Sequence, residues 1–113
     1  MKTASLFENL EFQDQKPAIK VLFDTAFTKE IRIALKAEQV MKKHQTPFPI
    51  VVELVDGELD FGVNGEVLHL KKGDLIALDG GVPHDLKAIT NSVVRLTLTK
   101  SDEANRVKNV INK

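Results

Sequence analysis

From residue 18 to residue 99 apolar and polar positions alternate with a period of two, and turn-forming residues cut the alternation at short intervals. Successive side chains of a strand point to opposite faces, so this pattern predicts short antiparallel strands, each with one buried face. Ile31, Ile33 and Leu35 share one side of KEIRIALKA, while Glu30, Arg32 and Ala34 take the other. Leu59, Phe61 and Val63 repeat the pattern, as do Leu68 and Leu70, Ile76 and Leu78, and Val94, Leu96 and Leu98. Turns are expected at Asp56-Gly57, Asn64-Gly65, Lys72-Gly73-Asp74 and Asp79-Gly80-Gly81, where Gly and Asn tolerate positive φ. Asn64-Gly65, between FGV and EVLHL, carries the strongest hairpin signal. Asp56-Gly57 before it reads as a closely preceding hairpin.

Only the ends depart from this rhythm. SLFENLEF fits a turn of helix with Ser5 as its N-cap. SDEANRVKNVINK places Val107, Val110 and Ile111 at helical spacing, predicting a short C-terminal helix over about residues 101–112. Eight or more short strands in one domain have edges to manage, and closure into a barrel or a double-sheet jelly roll manages them. The strand IVVELV is apolar on both faces: Ile50, Val52 and Leu54 fill one, Val51 and Val55 flank Glu53 on the other. Such a strand is covered on both sides, by a second sheet of the same chain or by a second copy. We expect a homodimer that buries Val51 or Val55.

The chain has 113 residues, enough for one domain with a single core. Lys plus Arg equals Asp plus Glu, so no basic footprint for nucleic acid is present. Cysteine is absent, which removes disulfides, thiolate metal sites and thiol nucleophiles and fits a reducing compartment. MKTASLFENLEF has no apolar stretch long enough for a signal peptide, and no segment has the length that spans a bilayer. The expectation is a soluble, cytoplasmic protein with no nucleic-acid or membrane partner. No Ser stands in a Gly-x-Ser-x-Gly turn, and Asp79-Gly80-Gly81 lacks the lysine and helix of a phosphate-binding loop.

The candidate chemistry lies in KKHQTPFPI and GGVPHD. The order and spacing of these segments, together with Gly57-Glu58, Asn64-Gly65-Glu66 and Gly73-Asp74, resemble the cupin family over roughly residues 30 to 99. His44, Thr46, Ile50 and Gly57 fall at the spacings of the first family motif, and Gly73, Asp79, Gly81 and His84 at those of the second. The resemblance implies an all-β fold, a small double-stranded β-helix or jelly-roll barrel with its core over about residues 18–99. It also implies a site at the barrel mouth, where three histidines and a carboxylate hold a metal in members with a full set. Here His44 and His84 are kept, while Thr46 and Ile50 stand where a histidine and a glutamate would be.

His44, Thr46, Phe48 and Ile50 share one strand parity, and Pro47 and Pro49 favour extended backbone before them. The expected small-molecule site is therefore an apolar pocket lined by Phe48, Ile50 and Phe61, with His44, Thr46 and His84 as its polar groups. Two imidazoles are fewer than the three protein ligands of a catalytic zinc site, so His44 and His84 would hold zinc, nickel or iron only weakly unless an acid such as Asp60 or Asp79 joined them. The functional reading is a stand-alone domain that binds a small molecule. The alternatives are a metal-dependent oxygenase or isomerase and a ligand-sensing regulatory module. His69 alternates with Leu68 and Leu70 and is read as structural. Arg32 and Arg95 are read as charge pairs on an outer face.

Overall fold

A computed structural model describes residues 1–100. The expected C-terminal helix lies outside the described residues. Among the described residues nine strands form in chain order: β1 (Ala18–Asp24), β2 (Thr28–Leu35), β3 (Val40–His44), β4 (Ile50–Asp56), β5 (Glu58–Val63), β6 (Glu66–Lys71), β7 (Leu75–Leu78), β8 (His84–Ala88) and β9 (Ser92–Thr99). They make two antiparallel sheets, one ordered β1-β2-β9-β4-β7 and the other β3-β8-β5-β6. The predicted apolar faces meet between the sheets. Ile31, Ile33, Leu35, Ile50, Val52, Leu54, Leu78 and Val94 from the five-stranded sheet join Leu59, Phe61, Val63, Leu70, Leu86 and Ala88 from the four-stranded one in a single core cluster.

After β2, every connection except β5–β6 carries the chain from one sheet to the other. The fold is thus a jelly-roll barrel and not a meander. Asn64 and Gly65 have φ of 54° and 75° and close the β5–β6 hairpin as a two-residue turn with both central residues left-handed. Asp56-Gly57 is a corner between sheets, which corrects the hairpin expected there. Gly57 has φ 102°, and a Cβ on it would collide with Ser92 Oγ and the Asn91 carbonyl oxygen. Both the backbone conformation and the approach of β9 require glycine at this corner.

Outside the core, the five-stranded sheet holds a charged network. Glu30 is buried, and its Oε1 accepts from Arg95 Nε at 3.0 Å and Thr97 Oγ1 at 2.6 Å. Arg95 also reaches Glu53 at 3.8 Å. Arg32 is only 4 % exposed and departs from the expected charge pairing. Its guanidinium donates to the carbonyls of Leu6 and Glu8 at 3.2 and 3.0 Å and to that of Asn9 at 3.4 Å. This clamps the N-terminal segment to the sheet. Ser5 Oγ accepts from the N–H groups of Phe7 and Glu8 at 3.3 and 3.2 Å, so the expected N-cap residue organises a turn there and no helix forms.

Candidate functional site

β3 ends at His44 and β8 begins at His84, and the two residues are register partners on adjacent strands. A register irregularity between Met41 and His44 precedes the pair. The imidazoles meet edge to face, with ring centroids 4.3 Å apart and planes at 60°. Behind them Phe61, fully buried on β5, stacks on His84 at 5.6 Å and 9°. His84 is 3 % exposed, and His44 is partly exposed at the mouth. Val63, the β5 register partner of His84, completes the apolar wall.

Both rings are held in the same way. His44 Nδ1 lies 2.8 Å from the Lys42 carbonyl oxygen, and His84 Nδ1 lies 3.0 Å from the Val82 carbonyl oxygen. A carbonyl only accepts, so each Nδ1 carries the hydrogen, and in the neutral ring each Nε2 keeps its lone pair. That is how an imidazole is oriented when its other nitrogen is to serve as an acceptor or a ligand.

The remaining expected site residues lie elsewhere around the opening. The chain leaves the sheet at His44, and residues 45–49 form a loop rather than one continuous strand with Ile50. Thr46 and Phe48 face a slot shared with Leu98, Thr99, Lys100 and Lys29. Thr46 Oγ1 donates to the Phe48 carbonyl at 3.1 Å. Ile50 starts β4 in the opposite sheet, pairs with Leu78 and Leu98, and is buried in the core. Leu98 and Lys29 were not anticipated as lining residues. They come from β9 and β2, and only the sheet register brings them beside the loop.

The donor set does not fit a complete metal centre. Among the described residues no group of three or more His, Asp or Glu side chains is placed to share an ion. Asp60 faces outward and bonds His69 Nδ1 at 3.0 Å, and Asp79 is exposed in the turn after β7. His69 itself, expected to be structural, bridges Asp60 and Glu58, its Nε2 lying 3.0 Å from Glu58 Oε2. Hydrogen bonds to Asp60 first and Glu58 second raise its pKa above the ordinary histidine value.

The chain matches the family described as Cupin domain over residues 32–99, a span that contains both histidines, the stacked phenylalanine and strands β3 to β9. The chain belongs to the cupin domain family. Solved structures agree with that assignment of fold. An RmlC-like cupin from Desulfovibrio desulfuricans is 24 % identical with a TM-score of 0.81, over 88 % of this chain and 96 % of that one. An RmlC-like cupin from Shewanella frigidimarina is 20 % identical with a TM-score of 0.76, over 93 % and 96 %. A cupin 2 conserved barrel domain protein from Leptotrichia buccalis is 26 % identical with a TM-score of 0.74, over 82 % of this cupin and 45 % of that chain. No curated protein matches this cupin.

Proposed function

We propose that this cupin binds a small organic molecule at the mouth of its barrel, with His44 and His84 as the polar contacts, Val63 as apolar wall and the buried Phe61 backing His84 from the core. The observation that carries the reading is the pair of imidazoles whose Nδ1 hydrogens are spent on backbone carbonyls. Two lone pairs beside an apolar wall suit a ligand that offers N–H or O–H donors on an apolar frame. The same pair would give zinc, nickel or iron two of its ligands, fewer than a closed site uses, so metal binding is weak. Ligand-observed NMR with a set of aromatic alcohols and amines tests the reading. Binders that lose affinity in His84→Ala support it; no binder, or binders indifferent to His84, contradicts it.

The proposal extends to a homodimer working in the cytoplasm. Val51 and Val55 stand half-buried on the outer face of β4, and the neighbouring Leu75 and Ala77 of β7 are exposed. This apolar strip beside the Glu53–Arg95 pair supports a second copy as its cover. Sedimentation should give a dimer at about 50 µM, since a standard-sized interface persists at that concentration, and a monomer would refute the point.

A further inference from the structure

The loop between β3 and β4 presents a second binding surface, away from the imidazole pair. Thr46, Pro47 and Phe48 form one wall of a slot of about 310 Å³, and Leu98, Thr99, Lys100 and Lys29 form the other. Its hydroxyl hydrogens are already used. Thr46 Oγ1 donates to the Phe48 carbonyl at 3.1 Å, and Thr99 Oγ1 donates to the Pro49 carbonyl at 2.6 Å. The Thr99 N–H also points to Pro49, at 3.2 Å, and the Lys100 N–H to the Phe27 carbonyl, at 3.1 Å. A hydroxyl has one hydrogen to give, so these threonines cannot donate to a guest without abandoning the loop. What the slot offers a guest is the carbon surface of Pro47, Phe48 and Leu98.

The rim supplies the opposite character. Lys29 and Asp24 are register partners, Asp24 is ion-paired with Lys100, and Lys2 donates to the Asp24 carbonyl. Three ammonium groups therefore gather about one carboxylate. The Asp24 carboxyl is held below its ordinary range by Lys100 first, with Lys29 and Lys2 adding to the effect. Among the described residues one carboxylate here faces three ammonium groups, and an apolar slot with an excess of positive charge at its rim is complementary to an apolar body that ends in a negative charge.

We propose that this slot binds a small amphipathic anion, a monocarboxylate of about ten non-hydrogen atoms whose apolar body lies on Phe48 and Leu98 and whose charged end meets Lys29 and Lys100. The site needs neither His44 nor His84, so it goes beyond the reading of the imidazole pair.

Octanoate is the probe, added to the full chain at low salt and followed through backbone amide NMR signals. The amides of Phe48, Leu98 and Thr99 should shift together, with a dissociation constant of about 1 mM. Lys29→Gln should weaken binding about threefold, the scale of one exposed ion pair, and Lys29→Glu should weaken it further. Added salt should also weaken it, and the uncharged octanamide should bind less well than octanoate. Absence of shifts at these amides up to about 10 mM octanoate overturns the proposal. So does equal binding of octanamide, octanoate binding that survives Lys29→Glu undiminished, or binding that is lost in His84→Ala.

Discussion

Replacing Phe61 tests the fold and the site together. Its side chain is fully buried at the centre of the four-stranded sheet, where β5 lies between β6 and β8, and its ring backs His84. Phe61→Ala removes the whole ring from a fully buried position, a change that costs about 3–5 kcal/mol. That is about a fifth or more of the stability of a marginally stable domain, which is about 5–15 kcal/mol. With a urea slope of roughly 1–3 kcal/mol per molar, the unfolding midpoint should fall by more than about 1 M. Phe61→Leu keeps a branched apolar side chain in place and should cost no more than about 1.5 kcal/mol. It still removes the stacked ring, so the ring-current contribution to the His84 carbon-bound proton shifts should disappear in a variant that remains folded. A loss under about 1 kcal/mol for Phe61→Ala would refute the burial argument. Unchanged His84 proton shifts in folded Phe61→Leu would refute the stack.

Three other substitutions probe separate parts of the molecule. Gly57→Ala should lower stability by well over about 1 kcal/mol, because it combines a positive φ with a collision against β9, and thermal unfolding that matches wild type would show the corner to be described wrongly. His69 has its pKa raised in the fold by Asp60 and Glu58, so its stabilising effect is fully present below the unfolded value of about 6.5 and is lost as pH rises through the higher folded value. His69→Gln should therefore reduce stability in mildly acidic buffer and converge with wild type in alkaline buffer, and a pH-independent difference would contradict the bridge. Arg32→Lys lacks the planar fork that spans three carbonyls, so limited proteolysis should cut near Asn9 faster than in wild type, while equal rates would mean that Arg32 does not clamp the segment.

The alternation of apolar residues placed the core faces of β2, β4, β5 and β9, because a half-buried strand writes its burial directly into every second position. It did not say where the chain changes sheet. Asp56-Gly57 and Asn64-Gly65 use the same turn residues, yet one is a corner and the other a hairpin. Motif spacing singled out His44 and His84, and the register brings them together because β3 ends and β8 begins at the same mouth. The parity argument failed from Gln45 onward, where the prolines that favoured extended backbone instead accompany the loop out of the sheet, leaving Thr46 and Phe48 in the slot and Ile50 in the opposite sheet. Arg32 looked like any mid-strand charge on an outer face. Its carbonyl partners lie more than twenty residues away at Leu6, Glu8 and Asn9, and no local pattern announces a contact of that kind.

The protonation of the two imidazoles at the barrel mouth is the central claim, because the proposed ligand contacts depend on both Nε2 atoms being free to accept. Long-range ¹H–¹⁵N NMR of the histidine rings, recorded at a pH where they are neutral, reads the tautomer of each ring directly. His44 and His84 should both show a protonated Nδ1 and an unprotonated Nε2, held so by the Lys42 and Val82 carbonyls. An Nε2–H tautomer in either ring would contradict the account, since that nitrogen would then face the opening as a donor with no lone pair to offer.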